Sequence, residues 1–267
     1  MSRIKVCVAG ASGWVGKEIV RKISESVDME LSGAVSRTYS GKFLSDITGN
    51  GEHTLIVSGT VREALKRETD VMIDYTSAEA VKTNVLDAIS LGVNCVIGSS
   101  GLSDDDYGEI DSLASKRGVG VVAAGNFSLS SALLLHFSTI AARLMRSWEI
   151  IDYASDMKPD SPSGTARELA YRLSRVSTPE FRIPPDKIIG ERESRGLTLN
   201  GNQVHSVRLP GYVIGTEVIF GRKDERLILR YEGGTGADPY IDGTLLAVRK
   251  VQRLKGLTRG LDKLLDL

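Results

Sequence analysis

The stretch "DMKPDSPSGTA", residues 156–166, sets the cation Lys158 just ahead of the small residues Ser163, Gly164 and Thr165. The run that follows, "ARELAYRLSR", has the apolar spacing of a helix starting near Thr165. Free backbone amides at a helix start attract anions, and neighbouring hydroxyls add donors. With the charge of Lys158 added, the group reads as an anchor for a substrate carboxylate. Ordinary capping by Ser163 or Thr165, with Lys158 in solvent, accounts for the same residues. Spacing leaves both readings open. The preceding run "EIIDYAS" holds no group that would shuttle a proton at neutral pH.

A second constellation is "GASGWVG", directly after the apolar run "RIKVCVA". Gly10, Gly13 and Gly16 stand where a strand turns into an amphipathic helix, from Trp14 to about Ser26. Glycines there let a backbone approach a pyrophosphate, which rests on the helix N-terminus. Ser12, Trp14 and Val15 complete the expected dinucleotide cradle. After the second strand, "MELSGAV", an NAD site would carry an acid for the ribose hydroxyls. This chain has Ser36 and Arg37, with Lys42 nearby. A hydroxyl and a guanidinium suit a 2′-phosphate, so NADPH is preferred and NADH possible. Two further turns at expected strand ends, "DYTSAEA" and "GSSGL", give Tyr75, Thr76, Gly98, Ser99 and Ser100 as cofactor neighbours. A third, "AAGNFSLS", gives Gly125, Asn126 and Phe127.

These turns need an alternating scaffold, and the periodicity supplies one. Strand-like runs "RIKVCVA", "MELSGAV", "HTLIVSG", "DVMIDYT", "VNCVIG" and "VGVVAAG" alternate with helical patterns, "VREALKRE" among them. Residues 38–53 read as a loop. That alternation means βαβ units and a parallel sheet. Beyond about Ser128 the rhythm changes. A long helix precedes the strand "WEIIDYAS", and the strands "VHSVRL", "TEVIFG" and "RLILRY" follow a polar stretch at 177–203. Strands so close together predict a mixed or antiparallel sheet. A helix follows, with Asp238 as N-cap and Pro239 at its first position. The expected class is α/β: a Rossmann-like parallel-sheet domain plus an α+β domain with a mixed sheet. The first would comprise residues 1–127 and 240–267, and the second, for substrate and oligomerisation, residues 128–239.

Composition narrows the partners. Lys plus Arg and Asp plus Glu are both 34, so no net field favours nucleic acid or an anionic membrane. Cys7 and Cys95 lie in apolar runs without metal-ligand spacing, so no metal is expected. A strand-like N-terminus without a signal peptide, and no apolar run of spanning length, predict a cytoplasmic protein.

In order along the chain, "VAGASGWVG", "DYTSAEA", "GSSGL", "AGNFS", "EIIDYASDMKPDSPSGTA", "VHSVRLPG" and "EVIFG" resemble the dihydrodipicolinate reductase family, with "LLAVRKV" and "GLDKLLDL" closing the match. The resemblance spans nearly the whole chain. It implies a Rossmann-like first domain, a second domain that supports catalysis and tetramer assembly, and reduction of a conjugated cyclic imine dicarboxylate by NADPH or NADH. It also implies that Lys158, Ser163, Gly164 and Thr165 belong to the substrate site. The chain departs from the family where a pair of histidines is replaced by Ala154 and Ser155. A later His-Asp-Ser run, with an arginine, is replaced by "YEGGTGADPY". Of the three histidines present, His53 falls in a loop, His136 in a helix, and His205 in a sheet run the family shares, where it is structural.

Three functions follow. The first is an NADPH-dependent reductase of a small cyclic imine carboxylate, with Lys158 or water as acid. Its substrate is diverged from the family's, or else is the 4-hydroxy-tetrahydrodipicolinate of lysine and diaminopimelate biosynthesis. The second is an imine reductase or amine-forming dehydrogenase for another small acid. The third is a non-catalytic nucleotide-binding protein, which would not need to keep the carboxylate anchor.

Overall fold

The computed structural model describes residues 2–49 and 54–267. His53 lies outside them. The chain forms two compact units, residues 1–129 with 237–267, and residues 130–236.

In the first unit β1 (Ile4–Ala9) leads to α1 (Trp14–Ser24), then β2 (Met29–Val35) and the short helices α2 (Ser45–Thr48) and α3 (Val61–Ala64). β3 (Val71–Asp74), α4 (Ala78–Ser90), β4 (Asn94–Ile97), α5 (Asp104–Arg117) and β5 (Gly120–Ala123) complete the alternation. The second unit holds α6 (Leu129–Leu144), β6 (Ser147–Ala154), α7 (Gly164–Ser174), β7 (Leu197–Leu199), β8 (Asn202–Arg208), β9 (Ile214–Arg222) and β10 (Glu225–Gly233). The chain then re-enters the first unit as α8 (Asp238–Val251) and β11 (Gly256–Arg259).

The first sheet has the order β11-β5-β4-β3-β1-β2, with every pair parallel. Its central strands are buried on both faces, as continuous apolar runs require. α4 and α5 cover one face, around Met72, Val85, Ile110 and Val121. α1 and α8 lie on the other. Burial pushes the Cys7 thiol up to about 12 and raises that of Cys95 as well, so both are inert core residues. The second sheet has the order β10-β9-β6-β8-β7 and is mixed, because β6 and β8 run parallel while the other pairs are antiparallel. α6 and α7 cover one face of it, burying Leu135, Trp148, Leu169 and Phe220. Among the described residues no helix is long and apolar enough to cross a membrane.

Several local expectations change. "HTLIVSG" forms only the isolated bridges Val35↔Ser58 and Phe43↔Ile56, and Ile56 is half exposed. Three consecutive apolar residues, Leu55, Ile56 and Val57, beside an edge strand do not suffice for a ladder. The helix expected over "VREALKRE" ends at Ala64, and the loop at 38–53 contains α2. β7 and β11 lay hidden in polar surroundings. The N-cap of α8 is Ala237, with Asp238 as the first helical residue.

Close packing in the first unit centres on Tyr75. Its hydroxyl lies 2.9 Å from Thr244 Oγ1 on α8, and its ring stands edge-on to Phe127. A Cβ on Gly243 would fall 1.9 Å from the Phe127 carbonyl oxygen. Gly243→Ala should therefore lower the free energy of unfolding by about 2 kcal/mol or more. Gly108→Ala, in the middle of α5 with open space around it, should raise it by about 0.5–1 kcal/mol. Urea unfolding of both variants checks this. A neutral Gly243→Ala would contradict the packing described.

Candidate active site

At the start of α1 the glycines form a cradle that side chains would fill. Gly10 has φ +85°, and a Cβ there would lie 2.1 Å from the Tyr75 carbonyl oxygen. A Cβ on Gly16 would lie 2.0 Å from the Gly10 carbonyl oxygen. Gly13 caps α1 from an extended conformation, and no side chain caps the helix. The opening amides of α1 are thus left to an anion, which fits a dinucleotide pyrophosphate. Val15 and Gly16 are buried, so they offer backbone only, whereas Trp14 is exposed and stands edge-on to Tyr240. Ser12 and Ser36 share a hydrogen bond of 2.7 Å that joins this cradle to the end of β2. Arg37, next in the chain, is exposed, and Lys42 lies over the Tyr39 ring.

The turns after β3 and β4 are tied together by Asp74, which sequence reasoning did not single out. Fully buried, its carboxylate accepts from Thr76 Oγ1 at 2.7 Å, Ser99 Oγ at 2.6 Å, Asn84 Nδ2 at 2.9 Å and the Thr76 amide at 3.0 Å. The side chains of Thr76 and Ser99 are therefore spent on Asp74, and that of Tyr75 on Thr244. These turns present backbone to a ligand. Gly98 must lack a side chain, since a Cβ would sit 2.2 Å from the Tyr75 ring. Ser100 and Gly125 are exposed. Asn126 accepts from the Ser128 amide at 2.8 Å, and Phe127 is core.

In the second unit the Ser163-Gly164-Thr165 turn opens α7, with Ser163 as N-cap. Its hydroxyl accepts from the Ala166 amide at 3.2 Å. The donors of Ser163 go elsewhere. Its hydroxyl donates to Asp152 Oδ1 at 2.6 Å and its amide to Asp152 Oδ2 at 2.8 Å. Ser163 was expected to hold a carboxylate. With both donors on Asp152, its amide and side chain fix the turn. Asp152 is fully buried and also accepts from Arg208 at 2.8 Å and Ser206 at 3.3 Å. Arg208 donates further to the Asp160 carbonyl at 2.8 Å. Lys158 pairs with Asp160 at 2.7 Å and holds that carboxyl below its usual range. This pair is partly exposed and weak enough to yield to a ligand carboxylate.

Arg208 is a second strong cation beside Lys158. Asp152 and Arg208 were both missed. The signal was present in "WEIIDYA", where Asp152 shares the inward parity of Trp148, Ile150 and Ala154. An acid on a buried face requires a partner. Ala154, where the family resemblance implies a histidine, is fully buried, and Ser155 bonds Asp156. His205 contacts Glu149 Oε2 at 2.7 Å, beside an Arg195–Glu149 pair. His136 stands edge-on to Phe137 on α6. Among the described residues no cluster of His, Cys, Asp or Glu could hold a metal ion.

Removing one member of a buried ion pair strands the other. Asp152→Asn should therefore cost about 3 kcal/mol of stability. In a double-mutant cycle with Arg208→Gln, the combined loss should be smaller than the sum of the single losses. Additive losses by urea unfolding would mean that the two side chains do not interact.

Comparison with known proteins gives the family of the chain. The family descriptions "Dihydrodipicolinate reductase, N-terminus" and "Dihydrodipicolinate reductase, C-terminus" match residues 4–127 and 130–265. The 4-hydroxy-tetrahydrodipicolinate reductase of Moorella thermoacetica is 38% identical, covering 100% of this chain and 99% of that protein. That of Desulfitobacterium hafniense is 35% identical over the full length of both. The solved structure of a dipicolinate-bound dihydrodipicolinate reductase from Paenisporosarcina sp. TG-14 is similar with a TM-score of 0.83 at 26% identity, covering 98% of this chain and 100% of that one. The chain belongs to the dihydrodipicolinate reductase family.

Proposed function

We propose that the protein is an NADPH-dependent reductase of the C=N bond in a small cyclic imine carboxylate. The observation that carries this reading is the α7 turn, whose Gly164 and Thr165 amides remain for an anion because Asp152 takes both donors of Ser163. Gly10, Gly13, Gly16 and the uncapped start of α1 would hold the dinucleotide, which supplies the hydride. Lys158, next to the turn, anchors a carboxylate or gives the proton that the imine nitrogen takes up.

The substrate reading turns on charge. A dicarboxylate brings two anions whose desolvation must be met. Ala154 and Ser155 add no cation, and Arg208 is already matched by Asp152. This favours a ring with one carboxylate and a neutral second group. A second reading, the 4-hydroxy-tetrahydrodipicolinate named for the relatives, rests on their full-length similarity. NADPH oxidation measured with a panel of cyclic imines, freshly generated hydroxytetrahydrodipicolinate included, separates the two. Turnover of the latter at about 10 s⁻¹ or more would establish the second reading and end the first. Lys158→Met should lower kcat by about 100-fold on whichever substrate is used.

For the cofactor, Arg37→Ala should weaken NADPH binding and leave NADH binding nearly unchanged, measured by fluorescence titration. Equal losses would make Arg37 a structural residue. For assembly, we propose a homotetramer formed through the face of the second sheet opposite α6 and α7. Ile151, Ile219 and the half-exposed Ile228 stand there on neighbouring strands. A monomer in light scattering would contradict this.

A further inference from the structure

On its helix-covered face the second sheet carries a polar row. Ser206 on β8 pairs in register with Asp152 on β6, Asp152 with Thr216 on β9, and Thr216 with Tyr231 on β10. Ser206 and Asp152 are hydrogen-bonded. The other two differ. Thr216 is 0% and Tyr231 6% exposed, yet among the described residues neither hydroxyl has a partner, nor does Arg208 Nε. A buried hydroxyl without a partner costs stability, so its persistence calls for a group that satisfies it.

The topology says where that group would stand. β6, β8 and β10 run in one direction and β9 in the other, so Ala154, Arg208 and Gly233 end their strands at the edge where Ile214 begins β9. The Ser163 turn is tied to this edge through Asp152. The Tyr231 hydroxyl lies 2.8 Å from the place a Cβ on Gly233 would take, so it points along β10 toward the same edge. A Cβ on the next residue, Gly234, would meet nothing within 4 Å.

We infer that the Tyr231 and Thr216 hydroxyls are a second substrate subsite, which hydrogen-bonds a neutral polar substituent of the ring whose carboxylate rests on the Gly164 and Thr165 amides. The inference rests on the reductase reading above and specifies its substrate class. Two hydroxyls beside a compensated Asp152–Arg208 pair offer hydrogen bonds without net charge. They suit an amide or alcohol better than a second carboxylate.

The test uses three inert planar analogues, picolinate, 6-carbamoylpicolinate and dipicolinate, titrated calorimetrically into the NADP-loaded protein. Wild type should bind 6-carbamoylpicolinate most tightly. Tyr231→Phe, which keeps the ring, should lose about tenfold or more in that affinity, the size of one hydrogen bond. Its affinity for picolinate and for NADPH should not change, and its Tm should not fall. Thr216→Val should behave likewise. Unchanged affinity for 6-carbamoylpicolinate in both variants would overturn the inference, and so would tighter binding of dipicolinate by wild type. A lower Tm with unchanged affinity would mark the hydroxyls as members of a structural water site and overturn it too. If wild type binds none of the three analogues, the reductase reading itself fails, and the subsite with it.

Discussion

A carboxylate that cannot reach water must be met by donors, and the second unit is organised around that demand. Asp152 faces the core from the middle strand of its sheet. It draws in the Ser163 amide and hydroxyl, Ser206 and Arg208. Fixing Ser163 fixes the first turn of α7, and fixing Arg208 ties down Asp160 and with it the approach of Lys158. The first unit repeats the device. Asp74, at the end of β3, gathers Thr76, Asn84 and Ser99, which sets two turns of the proposed dinucleotide site. In both units the small hydroxyl residues that look like ligand contacts spend their protons on a buried acid. What they leave for a ligand is oriented backbone, which pays no reorganisation when an anion arrives.

Much of this was legible in the sequence, for identifiable reasons. The strands of the parallel sheet are apolar runs buried on both faces, and the glycine turn after β1 is required by clashes as close as 2.0 Å. Such demands leave few alternatives in composition. The change to a mixed sheet showed as strands too close together for crossover helices. β7 and β11 were not legible, because a three-residue edge strand and a strand of mixed polarity have no periodic signature. At the site, the sequence pattern does not give the direction of each donor. Ser163 and Ser99 each carry a donor that a one-dimensional pattern assigns to the ligand, while the fold assigns it to an acid distant in sequence or a turn away. Asp152 could have been found by strand parity. Arg208 could not, since its pairing depends on the parallel register of β6 and β8.

The family resemblance implies a histidine pair where this chain has Ala154 and Ser155. Ala154 is sealed in the sheet and offers no polar group there. Of the cations around the α7 turn, Arg208 is engaged by Asp152 and Lys158 by Asp160, while Arg167 donates to the Pro162 and Ser161 carbonyls. Lys158 can exchange its partner because that pair is partly exposed. Arg208 cannot do so without stranding a buried carboxylate.

The central claim is that the α7 amides, aimed by Asp152, hold the substrate carboxylate. A crystal structure of the protein with NADP and picolinate tests it most directly. The account predicts a carboxylate oxygen within hydrogen-bonding distance of the Gly164 and Thr165 amides, with both Ser163 donors still on Asp152. A carboxylate seated instead on Arg208, with Asp152 released and the α7 amides facing solvent, would contradict it.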